Sequence, residues 1–103
     1  AWIYSHLGLL FVEQRNYDLA IDNFKATRNL GNRGNASPMW LYVWSEIKMG
    51  NSYDAKGDRT RAVAAYKRAE KIGDTYDNAQ DAVTQYLANP YDPKKQSQNT
   101  AVK

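Results

Sequence analysis

The chain has 103 residues, of which 43% are hydrophobic and 24% are charged, and its net charge is +3. That length allows one domain with a modest core, and the charge is spread too thinly to indicate a polyanion partner. The absence of cysteine excludes disulfides and thiolate chemistry. No apolar run reaches the roughly 18 to 20 residues of a membrane-spanning helix, and the first residues, AWIYSH, lack the regions of a signal peptide, so we expect a soluble chain.

Apolar residues at helical spacing predict five helices, over residues 2–14, 17–30, 38–56, 59–72 and 75–88. Gly31, Gly57 and Gly73 are placed to end the second, third and fourth of these helices. Ser37 followed by Pro38 is typical of a helix start, because serine can cap free amides and proline costs nothing at the first helical position. Two of the three prolines and few apolar residues follow the fifth helix, which predicts a flexible tail over 90–103.

The chain repeats itself with a period of 42 residues. The first unit carries a set of packing residues that recurs in the second, namely Leu7, Gly8, Phe11, Ala20 and Phe24, then Met49, Gly50, Tyr53, Ala62 and Tyr66, to which the second unit adds Gly57 and Ala69. A glycine inside a helix costs about 1 kcal/mol relative to alanine. We therefore expect Gly8 and Gly50 to let a partner backbone approach within each helix hairpin, and Phe24 and Tyr66 to project toward the next unit.

This pattern resembles the tetratricopeptide repeat, a helix-turn-helix unit of about 34 residues. The resemblance implies an all-α, antiparallel helix-hairpin solenoid. It divides a single domain, 1–89, into repeat one (1–34), an insertion (35–42), repeat two (43–76) and a closing helix (75–88), followed by the tail. The sequence departs from the family pattern at several positions. Tyr4 and Glu46 stand where the family most often has tryptophan, and Arg15 stands where the second unit has Gly57.

The resemblance also implies a binding surface, because the first helices of successive units line a concave groove in such arrays. Helical spacing places seven residues on that side of the first and third helices: Trp2, Leu9, Val12, Trp40, Trp44, Ile47 and Asn51. Tryptophan is a frequent interface anchor, which favours a groove for a peptide or partner protein. The alternative is that the tryptophans belong to the core, or that Trp2 packs against a preceding unit.

We therefore expect a non-catalytic scaffold or adaptor that binds another protein through this groove. The alternative is an assembly module that docks permanently onto another subunit or copy, as a fragment of a longer array. Two repeats are fewer than the roughly three usually needed for a stable array, which favours that alternative. The sequence leaves the partner and the compartment open.

Catalytic, metal and nucleic-acid functions are not expected. Ser5 and His6 are adjacent on a helix and point about 100° apart, so they cannot form a nucleophile–base pair. His6 is the only histidine, and without cysteine a metal site would rest on carboxylates alone, so we predict no metal and no cofactor. Five cations fall on the fourth helix and are interpreted as a solvated face, since aromatic residues are not interleaved with them: Arg59, Arg61, Lys67, Arg68 and Lys71.

Overall fold

The computed structural model describes residues 1–34 and 37–94, and all regular structure in this part of the chain is helical. Five α-helices follow one another: α1 (Trp2–Glu13), α2 (Tyr17–Asn32), α3 (Met39–Ala55), α4 (Arg59–Ile72) and α5 (Ala79–Ala88), with a 3-10 turn, Tyr76–Asn78, before α5. The predicted all-α class is therefore confirmed for these residues. None of their helices has the length and apolar character needed to cross a membrane.

Helices that are consecutive in sequence pack side by side and run antiparallel. Along α3 and α4, Asp54 bonds Arg59 near the connection and Glu46 bonds Arg68 farther from it, so the two helices run in opposite directions. Two contacts join helices that are not consecutive in sequence: α1 packs against α3, and α3 packs against α5. The third helix thus lies at the centre, and most of its residues from position 41 to position 53 are buried.

Glu46 is a buried carboxylate that ties three helices together. Its Oε2 accepts from Nε of Arg68 on α4 at 2.7 Å, and its Oε1 lies 3.7 Å from Nη1 of Arg28 on α2. A carboxylate removed from water is stable only when it is paired, so this arrangement requires both neighbouring helices to be in place. An ion pair between Lys56 and Asp18 joins α3 and α2 at the opposite end of their contact.

The two helix hairpins close with the same turn, 42 residues apart. Arg15 and Gly57 both adopt left-handed backbone conformations, with φ of 59° and 83°. The amides of Asn16 and Asp58 then donate to the carbonyl five residues earlier, at 2.8 and 2.9 Å. Each of these two side chains in turn accepts from an amide in the first turn of the next helix. The sequence period is therefore a period of the backbone, and an arginine tolerates the conformation that glycine provides in the second hairpin.

In each hairpin an aromatic ring of the second helix packs against a glycine of the first helix. A Cβ added to Gly8 would stand 2.5 Å from the Phe24 ring, and one added to Gly50 would stand 2.4 Å from the Tyr66 ring. The expectation of a backbone in close approach was therefore wrong, since the side chain of the second helix occupies the notch. The two rings also face the next helix pair, as expected: Phe24 lines a cavity with residues of α3, and the Tyr66 ring stacks on that of Tyr86 of α5, with centroids 5.6 Å apart.

Gly31 is a third glycine against which an aromatic ring packs, and it does not end its helix. It lies inside α2, which runs two residues beyond the predicted end, and the Tyr42 ring stands 2.6 Å from the position of its missing Cβ. Leu41, also in the first turn of α3, is buried. Within the described part of the predicted insertion, 37–42, residues 39–42 thus form the first turn of α3, which packs against the end of α2. Residues 35 and 36 lie outside the described ranges.

The closing helix begins four residues later than predicted, after the 3-10 turn. The side chain of Asp74 accepts from the amide of Tyr76 at 2.8 Å, and the carbonyl of Tyr76 accepts from the Trp44 indole at 2.8 Å. Asp77 and Asn78 then adopt φ of 54° and 59°. These bonds divert the chain from the helical path, so α5 starts only after two residues in the left-handed region.

A buried polar network joins α3, α4, α5 and the segment after it. The carboxylate of Asp54 is 1% exposed and accepts from Arg59 at 3.0 Å, from the hydroxyl of Tyr66 at 2.8 Å and from the amide of Tyr91 at 3.0 Å. Arg59 also donates to two carbonyls in the last turn of α5, at 2.8 and 2.9 Å. The predicted tail is thus bonded to the domain at its start; the part of it over 95–103 lies outside the described residues.

Candidate functional site

A cavity of about 340 Å³ lies where α1, α3 and the 3-10 turn meet. Its lining is mainly apolar and aromatic with a few polar groups, and includes Leu9 from α1, Trp40, Trp44 and Lys48 from α3, and Tyr76 and Asp77 from the turn. Cavities that bind small ligands begin at about this size and have this balance of surfaces. We call this cavity the groove cavity.

The two tryptophans of the groove cavity lie on α3, and they hold the 3-10 turn in place as one wall of the cavity. Trp40 and Trp44 are one helical turn apart, so their side chains lie on the same side of α3. The indole N–H of Trp44 donates to the carbonyl of Tyr76, and the ring centroids of Trp40 and Tyr76 are 5.3 Å apart. The 3-10 turn is therefore bound to α3 through both residues, and the groove cavity has three defined sides.

Two charges of opposite sign lie at the groove cavity. The ammonium of Lys48 lies 5.7 Å from the centre of the Trp44 ring. Burial lowers the pKa of Lys48 below its ordinary value, and the nearby carboxylate of Asp77 acts in the opposite direction. A partly desolvated cation and a carboxylate beside aromatic walls can orient a ligand by charge as well as by shape.

Ser5 and His6 also reach the groove cavity, but they are engaged separately. The hydroxyl of Ser5 donates to the carbonyl of Trp2 at 2.8 Å. The ring of His6 packs against the indole of Trp2, with centroids 4.0 Å apart and planes tilted by 31°. The arrangement therefore offers contacts to a ligand and does not assemble a nucleophile with a base.

The structure brings together three of the seven residues predicted to line the groove. Leu9, Trp40 and Trp44 lie at the groove cavity. Trp2 lies on the outer side of α1 beside His6, and Val12 is partly buried against the core. Trp40 and Trp44 thus lie together, and Trp2 lies apart from them. That these tryptophans bind a partner stays a prediction.

Ile47 and Asn51 are buried within the domain. Ile47 is part of the core, and the side-chain amide of Asn51 donates to the hydroxyl of Tyr66 at 2.9 Å. The Oδ1 atom of Asn51 is buried with no hydrogen-bond donor among the described residues. Neither side chain presents a surface to a partner, so their predicted place in the groove is corrected.

The predicted groove omitted the residues of the 3-10 turn, and it also omitted Phe24, Leu41, Ser45 and Lys48. Tyr76 and Asp77 were assigned to a continuous closing helix, whereas they form one side of the groove cavity. The consecutive Asp77 and Asn78 were the available signal, because aspartate and asparagine tolerate positive φ better than other non-glycine residues do.

The comparisons with known proteins give no relative. The sequence matches no protein-family model, and no curated protein or solved structure is significantly similar to it. The tetratricopeptide resemblance is accordingly an expectation carried by the residues of this chain. The groove cavity has to be interpreted from its own geometry.

The cations of α4 are largely engaged with carboxylates. Arg59 bonds Asp54 and Arg68 bonds Glu46, while Arg61 pairs with the capping side chain of the same helix. These ion pairs reduce the unpaired positive charge that α4 presents to solvent. A dense basic surface, which polyanion binding requires, does not follow from the five cations.

Proposed function

We propose that this chain is a non-catalytic protein–protein interaction module that binds a segment of a partner protein in the groove cavity. The observation that carries the proposal is the pairing of Trp40 and Trp44 along one side of an apolar cavity that also receives Leu9 from another helix. Tryptophan is among the residues that most often dominate the binding energy of interfaces.

We extend the proposal to the arrangement of the helices, which we interpret as a tetratricopeptide-like array of two hairpins and a closing helix. Three observations support this interpretation: the identical turns 42 residues apart, the antiparallel order of consecutive helices, and the direct contact between α1 and α3. In such an array the side on which α1 and α3 meet is concave, and the groove cavity lies on that side.

The size and charges of the groove cavity indicate what it accepts. A volume of about 340 Å³ accommodates one bulky apolar side chain, with the adjoining backbone of the partner crossing the opening. Lys48 and Asp77 are then available to pair with opposite charges of the partner and to fix its direction. We therefore expect a short linear segment with one aromatic or large aliphatic anchor.

Selection of peptides tests this function without a known partner. A displayed library of random linear peptides is selected against the chain, and enriched sequences are synthesised and titrated by fluorescence anisotropy. We expect the peptides to share a bulky apolar residue. Leu9→Asp and Trp40→Ala should each weaken binding by about tenfold or more, because they charge or remove an anchoring wall.

A matched control separates the groove cavity from general surface effects. Leu19 is 41% exposed and Leu9 is 39% exposed, so the two leucines are matched in exposure. Because Leu19 lies on α2 outside the groove cavity, Leu19→Asp should change the affinity for the peptide by no more than about twofold. Far-ultraviolet circular dichroism of each variant reports whether the helices are intact. Failure to enrich any peptide, or equal effects of Leu9→Asp and Leu19→Asp, contradicts the proposed function.

A further inference from the structure

A second cavity, of about 270 Å³, lies where the end of α2 meets the first turns of α3 and the end of α4. Its charged lining residues are Arg28 on α2 and Glu46 on α3, and apolar walls come from Met39, Tyr42 and Ile72. We call it the Glu46 cavity. Its volume is slightly below the roughly 300 to 1,000 Å³ of ordinary ligand pockets, so an occupant has to be small.

The charged pair of the Glu46 cavity is incompletely bonded. The Glu46 side chain is 4% exposed, and its Oε2 accepts from Arg68 at 2.7 Å. Its Oε1 lies 3.7 Å from Nη1 of Arg28, which is beyond hydrogen-bonding distance, and no described residue donates a hydrogen bond to it. An oxygen of a buried carboxylate that lacks a donor and a guanidinium held at a distance from it therefore line the same small space.

The charges of the Glu46 cavity and part of its walls do not belong to the internal repeat. The positions equivalent to the three charged residues hold Tyr4, Ala26 and Glu70, none of which repeats the charge. Residues 39–42, which supply two of the apolar walls, come from the insertion between the units. A buried ion pair is often no more stabilising than apolar residues of the same size, so packing alone does not account for this cluster.

We propose that the Glu46 cavity binds a small α-amino acid with an apolar side chain. In such a molecule the ammonium and the carboxylate are attached to the same carbon, which matches a carboxylate and a guanidinium whose nearest atoms are 3.7 Å apart. The ammonium donates to Oε1 of Glu46 and the carboxylate accepts from Arg28, so that charges of alternating sign adjoin one another. The apolar side chain packs between Tyr42 and Ile72.

Both charged groups of the ligand are needed for this fit. A carboxylate without the ammonium places its charge beside Glu46 with no cation between them, and like charges in contact are costly. An amine without the carboxylate leaves Arg28 without a close acceptor. The site is separate from the groove cavity, with which it shares only Ser45 among the described lining residues, and it does not depend on the function proposed there.

Isothermal titration calorimetry of the full chain with free leucine, methionine and phenylalanine tests the proposal. We expect at least one of them to bind with a Kd in the millimolar range or tighter. The amide of that amino acid lacks the carboxylate and represents the first residue of a peptide, and its N-acetyl derivative lacks the ammonium and represents the last. Each should bind at least about tenfold more weakly, since a hydrogen bond to a charged group contributes that much.

Two outcomes of these titrations overturn the proposal. The first is that none of the three amino acids binds at millimolar concentration. The second is that the amide or the N-acetyl derivative binds as tightly as the free amino acid, since this would assign the Glu46 cavity to the end of a peptide chain.

Variants of the protein locate the binding. Arg28→Met should weaken binding of the amino acid about tenfold and bring its affinity within about twofold of that of the amide, because the carboxylate then meets no guanidinium. A loss of folding, which circular dichroism reports, does not equalise two ligands in this way. Arg61→Met removes an arginine whose side chain is 71% exposed and lies outside the Glu46 cavity, so it should change the affinity by less than about twofold. Equal effects of the two variants, or undiminished discrimination against the amide in Arg28→Met, overturn the proposal.

Discussion

Replacing Asp54 by alanine is expected to lower the free energy of unfolding by about 3 kcal/mol or more. The carboxylate is buried and accepts from Arg59, the Tyr66 hydroxyl and the Tyr91 amide. Its removal leaves those donors without an acceptor, and it frees Arg59 from the contact that aims it at α5. At roughly 4 to 8 °C per kcal/mol for a domain of this size, Tm should fall by more than about 10 °C.

Thermal and urea unfolding followed by circular dichroism measure this effect. Asp22→Ala serves as the control, because Asp22 is exposed on α2 and its loss should change the unfolding free energy by no more than about 0.5 kcal/mol. Asp54→Asn, which keeps an acceptor but removes the charge, should fall between the two. If Asp54→Ala and Asp22→Ala unfold at the same temperature, the network does not stabilise the contact of α3, α4 and α5 as described.

Gly50→Ala, which adds one methyl group, is expected to lower the free energy of unfolding by about 2 to 4 kcal/mol. The new Cβ would lie 2.4 Å from the Tyr66 ring, so the ring must move, and its hydroxyl would leave Asn51 and Asp54. Overpacking costs about 1 to 3 kcal/mol and lost buried hydrogen bonds add to it. This cost outweighs the gain of about 1 kcal/mol that alanine normally brings to a helix.

Gly8→Ala is the matched comparison, because the equivalent ring in the first hairpin is Phe24, which has no hydroxyl to lose. We expect it to destabilise the domain by about 1 to 3 kcal/mol, less than Gly50→Ala does. In the double variant Gly8→Ala with Phe24→Leu the two costs should be clearly less than additive, since the smaller side chain vacates the space. Stabilisation by either glycine substitution in urea unfolding would show that the rings do not rest on these glycines.

The helices and their pairing could be predicted from sequence because they follow from local patterns. The apolar spacing and the 42-residue period locate the helices and the shared turn, including the place where Arg15 stands for Gly57. The packing site of the aromatic rings could not be predicted in the same way. A period shows that Phe24 and Tyr66 are equivalent, but it does not show that each ring also rests on the glycine of its own hairpin.

The error at Ile47 and Asn51 has a physical cause in the position of α3. The same helical face was assigned to α1 and α3, but α3 is flanked by α1, α2, α4 and α5, whereas α1 packs against α2 and α3. The position of Leu9, open on α1, is therefore covered at Asn51 of α3, whereas Ser5, the equivalent of Ile47, is already buried on α1. Which helix is central depends on contacts distant in sequence, so helical spacing alone could not separate buried positions from groove positions.

The most direct test of the groove cavity uses the three tryptophans as separate reporters. The chain is labelled with 5-fluorotryptophan, the three ¹⁹F resonances are assigned with single Trp→Phe variants, and a peptide from the selection is titrated. We predict that the resonances of Trp40 and Trp44 shift with saturation and by more than that of Trp2, because the first two line the groove cavity and Trp2 reaches it only through the ring of His6. A saturating titration that moves Trp2 alone, or moves none of the three, would contradict the account.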